Sequence, residues 1–333
     1  VTTGPGERVC VVGGGVVGLS VAHELAQRGV PVVLVARESA ADTVSAVAGG
    51  LWFPYRVDGA ADGERLLERS LRRFEEVAAA EPSAGVDLRE GLVVERTAEP
   101  DRAWTRVVTE HREVAERDLP AGASGAVRTR LPLVTMPVYL AWLTGQVRRA
   151  GVEMRTAEVD SPHAAAELTG AGTVVVAAGG GSGRILGDDA SVVPVRGQVV
   201  RLRNPGLREW IVDDDHPDGL TYVLPRRTDV VCGGTAEEGL TDLHCDPETE
   251  AAILRRAVEL VPGLTGAEVI GRSAGLRPTR PTLRVGPVAA EGSRLRVYAC
   301  YGHGGAGVTL SWGSAERVAE LIVRAARPRR DRS

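Results

Sequence analysis

The opening segment limits the possible folds more than any other part of the chain. Residues 8–12 are a short apolar run, Gly13-x-Gly15-x-x-Gly18 follows, and Leu19, Ala22, Leu25 and Ala26 then share one helical face as far as about Arg28. Gly29 stands where a helix needs a residue that accepts positive φ, and residues 30–36 form a second, nearly continuous apolar run. A switch from strand to helix to strand periodicity predicts a βαβ start, with parallel strands buried on both faces. In that setting the glycines have separate tasks. Gly13 makes the tight turn, Gly15 admits a pyrophosphate to the backbone, and Gly18 lets helix pack on strand. The reading is dinucleotide binding, against a purely structural glycine turn. Glu38 stands about 20 residues downstream, where the fingerprint expects a ribose-binding acid. It follows Arg37 and sits slightly late, so a solvated surface carboxylate is the alternative.

A second glycine cluster, Tyr301-Gly302-His303-Gly304-Gly305-Ala306-Gly307-Val308-Thr309, lies near the other end and leads into a helical pattern through Val318, Leu321 and Ile322. A helix that opens from such a turn presents free N–H groups and a partial positive charge. That suits an anion, or a ring system that becomes anionic during chemistry. The two glycine loops are expected to meet around one cofactor.

Between them the texture alternates. Helices are predicted at 66–80, 137–150 and 247–260, and strands at 126–131, 152–157 and 173–177. From residue 192 short alternating strands take over, at 197–203, 221–225 and 230–234, and a last strand is expected at 295–299. The α/β texture recurs at the start, middle and end, which implies two interleaved domains. Net charge is −4, so no basic face calls for nucleic acid or anionic lipid. No apolar run approaches the roughly 18–20 residues of a membrane span, and no secretory leader is read at the start. All 40 basic residues are arginines, which excludes chemistry through a lysine Schiff base. Cys10, Cys232, Cys245 and Cys300 make no C-x-x-C pair and no zinc spacing, so no metal site is expected and a reducing compartment is.

Residues 43–55, T-V-S-A-V-A-G-G-L-W-F-P-Y, resemble the A-G-L-W-x-P-Y stretch of the D-amino-acid oxidase family of FAD flavoproteins. The family's other landmarks follow in order: Met136-Pro137-Val138-Tyr139-Leu140-Ala141-Trp142-Leu143, Arg196-Gly197-Gln198, Tyr222-Val223-Leu224-Pro225 with Gly233-Gly234, Gly275-Leu276-Arg277-Pro278-Thr279-Arg280-Pro281, and the C-terminal Y-G-H-G-G-x-G-x-T. The resemblance spans nearly the whole chain. It implies an α/β fold with an α+β second domain, in which a Rossmann-like FAD-binding domain (1–57, 132–194 and 288–328) interleaves with an antiparallel-sheet substrate-binding domain (58–131 and 195–287), before a tail at 329–333.

The resemblance also assigns roles. Arg277 would grip the substrate carboxylate with its planar fork, rather than serve as a structural ion pair. Tyr222 would add a hydroxyl, or else be a core tyrosine. The Gly305 carbonyl would accept from the substrate amine, and Phe53 and Tyr55 would line the site. Arg280 and Arg284 are read as structural. FAD would lie against Gly13, Gly14, Gly15, Val17 and Gly18, Arg37 and Glu38, Thr43, Val44 and Ser45, Gly49, Gly50 and Leu51, Val159, Gly179, and Gly304, Gly305, Gly307, Val308 and Thr309. His303 is read as an orienting hydrogen-bonder and not as a base. The implied reaction passes hydride from the α-carbon of a D-amino acid to flavin N5. Water then releases a 2-oxo acid and ammonia, and O₂ becomes H₂O₂. The partners implied are a small-molecule substrate and O₂, with a homodimer allowed.

Three departures stand out. No tyrosine occurs between Pro194 and Tyr222, where vertebrate members carry a lid tyrosine, so freer product release and bulkier side chains are expected. Ala306 replaces an aromatic of some members, and Arg37-Glu38 differs from the usual acid placement. The nearest rivals are flavoenzymes too. A D-aspartate oxidase would need a further cation, for which Arg56 and Arg226 are candidates. Among glycine- and sarcosine-type amine oxidases, the sarcosine-type relatives use a lysine that this chain lacks. Three more classes compete: an oxidase of an unusual, pathway-specific amino acid, an idle flavoprotein and an NAD-dependent dehydrogenase. The last is disfavoured by the second glycine loop. The ending Arg330-Asp331-Arg332-Ser333 is no peroxisomal signal, and the composition points to a bacterial cytoplasm.

Overall fold

The computed structural model describes residues 8–54, 62–187, 190–289 and 294–326. In chain order its elements are β1 (Val9–Val12), α1 (Val16–Gln27), β2 (Val32–Ala36), α2 (Gly63–Ala80), β3 (Val86–Glu95), β4 (His111–Glu113), β5 (Gly125–Val134), α3 (Met136–Arg149), β6 (Glu153–Thr156), α4 (Pro162–Thr169), β7 (Thr173–Val176), α5 (Ser182–Leu186), β8 (Val193–Leu202), β9 (Trp210–Asp213), β10 (Thr221–Pro225), β11 (Val230–Gly233), β12 (Glu237–Glu238), α6 (Pro247–Leu260), β13 (Val269–Val288), β14 (Arg296–His303) and α7 (Gly307–Ala326).

The strands form one hydrogen-bonded sheet in the order β4-β5-β3-β9-β10-β11-β8-β13-β14-β7-β1-β2-β6, with β12 on β8. From β14 to β6 all neighbours are parallel. Alternate residues there enter two different cores. Val9, Val11 and Val175 join the cluster under α1 and α7, whereas Cys10, Val12, Val174 and Val176 join the one under α4 and α5. Such strands show no polar face, which is why their sequence reads as continuous apolar runs. α1 begins and ends as its glycines require, with Gly29 at φ +74°.

From β13 to β9 the pairs are antiparallel, and period two again divides the residues. Val200, Leu202, Val230, Cys232, Val223 and Ile211 pack with Ile253 and Ala257 of α6. The opposite face of these strands looks into the cavity described below.

β13 is the longest of the elements that periodicity did not reveal. It runs for 20 residues, pairing with β8 from Val269 to Thr279 and with β14 from Thr279 to Val288. Its prolines, glycines and arginines carry no hydrophobic alternation, because neighbouring strands rather than a core hold it on both edges. It is the seam between the antiparallel and parallel parts. β14 likewise extends beyond the expected strand, to His303, so Tyr301-Gly302-His303 is strand and the turn begins at Gly304. Strands β3 and β9 and helix α4 were also not anticipated.

Candidate active site

A cavity of about 990 Å³ runs from the turn after β1, past the start of α7, to the open face of the antiparallel strands. The turn after β1 is shaped by its glycines. Gly13 has φ +128°, and a Cβ on it would lie 2.3 Å from the Ala177 carbonyl oxygen. A Cβ on Gly18 would lie 2.0 Å from the Gly13 oxygen, so Gly18 brings α1 against β1 and does not itself line the cavity. Ser45 Oγ accepts from the Val16 N–H at 3.1 Å, which brings the 43–45 segment onto the N-terminus of α1.

Every other predicted cofactor residue lines the cavity: Gly13, Gly14, Gly15 and Val17; Arg37 and Glu38; Thr43, Val44, Ser45, Gly49, Gly50 and Leu51; Val159 and Gly179; and Gly304, Gly305, Gly307, Val308 and Thr309. Glu38 is paired with Arg37 at 3.5 Å, and a second pair, Arg184 with Glu158 at 3.0 Å, borders the same end. Thr309 Oγ1 donates to the Phe53 carbonyl at 3.0 Å and accepts from its N–H at 3.3 Å, fixing the 50–53 segment to α7. Phe53 lines the cavity, and its ring packs 5.7 Å from Trp104. Tyr55 and Arg56 lie outside the described residues.

The far end is built by sheet register. Antiparallel partners project to one face. Tyr222 pairs with Gly233 and Gly233 with Val199; Gly197 pairs with Gly275, and Val195 with Arg277. The Arg277 and Tyr222 side chains therefore lie over a floor of glycines. A Cβ on Gly197 would meet three atoms of the Arg277 guanidinium at 2.4–2.5 Å, so the guanidinium lies flat on that backbone. A Cβ on Gly233 would fall 2.2 Å from the Tyr222 ring. Arg277 Nη1 donates to the Thr235 carbonyl at 2.8 Å and turns its charge towards Tyr222. Burial pushes the Tyr222 phenol pKa up, against the lowering effect of Arg277, so the hydroxyl keeps its proton.

Register also explains the Arg196-Gly197-Gln198 run. Gly197 faces the cavity, while Arg196 and Gln198 point the other way. There Arg196 donates to the Glu237 carboxylate, and the Gln198 amide donates to the Asp246 carbonyl at 2.8 Å. Arg284 donates to the Tyr301 hydroxyl at 2.8 Å, and Arg280 to Thr282. Arg226 is buried, with both ends of its fork on Asp229 at 2.7 and 2.8 Å, so it is not the spare cation a D-aspartate site would need. His303 is buried and meets Ser314 Oγ of α7 at 3.1 Å. Burial pushes its pKa down to about 4, which leaves a neutral ring. Sequence reasoning missed Asp214, Glu238 and Val212, which also line the cavity. None of the three stands within two residues of a motif position; the pairing of β9 with β10 and of β12 with β8 brings their segments to the cavity.

A glycine cradle and two helix N-termini opening on one elongated cavity fit a flavin dinucleotide. The chain belongs to the FAD dependent oxidoreductase family, whose model matches residues 8–321. Its cofactor is FAD. Among its relatives, a D-amino-acid oxidase of Rubrobacter xylanophilus is 45% identical over 317 residues, 94% of this chain and 95% of that one. A D-amino-acid oxidase of Streptomyces coelicolor is 41% identical over 94% of this chain and 96% of its own. A human D-aspartate oxidase is 33% identical over 95% of this chain and 94% of its own. Among solved structures, glycine oxidase from Geobacillus kaustophilus superposes with a TM-score of 0.78, at 23% identity, over 96% of this chain and 95% of that one. At that identity the likeness shows the fold.

Proposed function

We infer that this chain is an FAD-dependent D-amino-acid oxidase, producing a 2-oxo acid, ammonia and H₂O₂. The observation that carries the reading is one cavity joining the glycine cradle to an arginine–tyrosine pair seated on glycines. When bound, FAD supplies the two-electron acceptor for the α-hydrogen and the route for those electrons to O₂. The protein supplies orientation. Arg277 takes the carboxylate through its fork, and the protonated Tyr222 hydroxyl adds a second donor. The Gly305 carbonyl, on the exposed tip of the turn before α7, accepts from the amine. Phe53 closes one side of the site. No protein base is required, in keeping with a neutral His303. The N-terminus of α7 offers its positive end to negative charge in the cofactor ring. Residues 1–57, 132–194 and 288–328 serve the cofactor in this reading, and 58–131 and 195–287 the substrate.

No helix among the described residues is long and apolar enough to cross a membrane, and all four cysteines are free. These support the reading of a cytoplasmic bacterial enzyme, and sedimentation velocity measures whether it works as the homodimer the resemblance allows. The function is tested with D-Ala, D-Met, D-Phe, D-Asp, glycine and the L-enantiomers. Neutral D-amino acids are expected to yield peroxide in air and to bleach the yellow protein anaerobically. A preparation that carries FAD and bleaches with none of them refutes the reading.

A further inference from the structure

The face of the sheet that carries Arg277 also carries two carboxylates that the oxidation itself does not use. Val195 of β8 pairs with Arg277 on one side and with Glu238 of β12 on the other. Glu238 and Arg277 thus project from the same face, two strand spacings or about 10 Å apart at the backbone. Glu238 is exposed, borders the cavity, and has no ion pair among the described residues, whereas its neighbour Glu237 turns to the other face and holds Arg196. The second carboxylate, Asp214, lies two residues beyond Val212, the partner of Tyr222. It too borders the cavity, and its charge acts on the Tyr222 phenol. Around them the wall is apolar, from Val212, Leu220 and Ala236. A substrate whose carboxylate sits on Arg277 therefore extends its side chain along an apolar wall towards the exposed carboxylate of Glu238, with Asp214 on the same cavity.

We propose that this site selects D-amino acids with long cationic side chains, of the D-lysine and D-arginine kind, and discriminates against acidic ones. Resting on the oxidase reading, it specifies the side chain which that reading leaves open. The separation of Glu238 from Arg277 matches a lysine or arginine side chain laid along the wall, with its stem on Val212 and Leu220 and its charge at the rim. A D-aspartate or D-glutamate side chain would bring a like charge to the same place, with Arg226 locked on Asp229.

The test uses the FAD-loaded enzyme with D-lysine, D-norleucine and D-glutamate. D-norleucine is D-lysine without the ammonium, so the ratio of their kcat/KM values isolates the charge and cancels any general loss in a variant. In Glu238→Gln the D-lysine to D-norleucine ratio is expected to fall by about fivefold, the scale of an exposed ion pair, with a similar fall in Asp214→Asn. The D-glutamate to D-norleucine ratio should rise in both. In the unmodified enzyme, added NaCl should lower the D-lysine ratio, a readout that needs no variant. Ratios unchanged in both variants and in salt, or D-glutamate turned over faster than D-lysine, overturn the proposal while D-norleucine oxidation leaves the oxidase reading standing. Absence of oxidation of D-lysine, D-norleucine and D-glutamate alike refutes both.

Discussion

The glycine beneath Arg277 offers the most direct test of how the site works. In Gly197→Ala the new methyl would stand 2.4 Å from the guanidinium, where an ordinary contact begins near 3.4 Å, so the group must move by about 1 Å. Only the far end of a flexible side chain is in the way, and Gly197 needs no positive φ. The fold should therefore absorb the change, while the carboxylate clamp should not. A charge-assisted hydrogen bond contributes about 1.5–3 kcal/mol, so losing its alignment should lower kcat/KM for a neutral D-amino acid roughly ten- to a hundredfold. The loss should appear mainly in KM. Arg277→Ala removes the fork altogether and should raise KM by more than about a hundredfold, leaving FAD bound. Added to Arg277→Ala, Gly197→Ala should change almost nothing, because its whole effect passes through that arginine. Initial rates of peroxide formation and the visible flavin spectrum measure both quantities. Wild-type kinetics in Gly197→Ala, or a full additional loss in the double variant, would refute the reasoning.

Two further outcomes follow from the same structure. Gly18→Ala sets a Cβ 2.0 Å from a backbone oxygen, which no rotamer change relieves; overpacking of about 1–3 kcal/mol should lower the melting temperature and release FAD, and retention of both would show that the helix–strand contact is softer than described. His303 is buried with its pKa pushed down to about 4, so its contribution to stability is present above pH 6.5 and is lost as pH falls towards 4. The loss should reach about 2 kcal/mol at pH 5, and His303→Gln should remove that part of the slope in urea unfolding at pH 7.5 and 5.0. Equal slopes in the two proteins would exclude the histidine as the cause.

The parallel half of the fold was readable because its physics is local. Strands covered on both faces write continuous valine runs, and Gly13, Gly18 and Gly29 stand where backbone approach or positive φ leaves no alternative. α6 was readable over its full length for the same reason, since Asp246 caps it and Pro247 begins it. The antiparallel half was only partly legible. β13 is specified by the strands on either side and not by any pattern of its own, so no strand was read over its 20 residues.

The glycine motifs gave the locations of the site but not its construction. Gly197 and Gly233 were visible as letters of family motifs, yet their task, carrying Arg277 and Tyr222 flat against the sheet, depends on pairings across β8, β10, β11 and β13. Glu238 makes the same point more sharply. Nothing near it in sequence separates it from Glu237, but a one-residue step along β12 turns one carboxylate to Arg196 and the other to the rim of the cavity. Under the proposed selectivity, the choice between acidic and basic substrates becomes a property of register. A shift of β12 by one residue would exchange the two glutamates, leaving the composition of the loop and the charge of the chain unchanged.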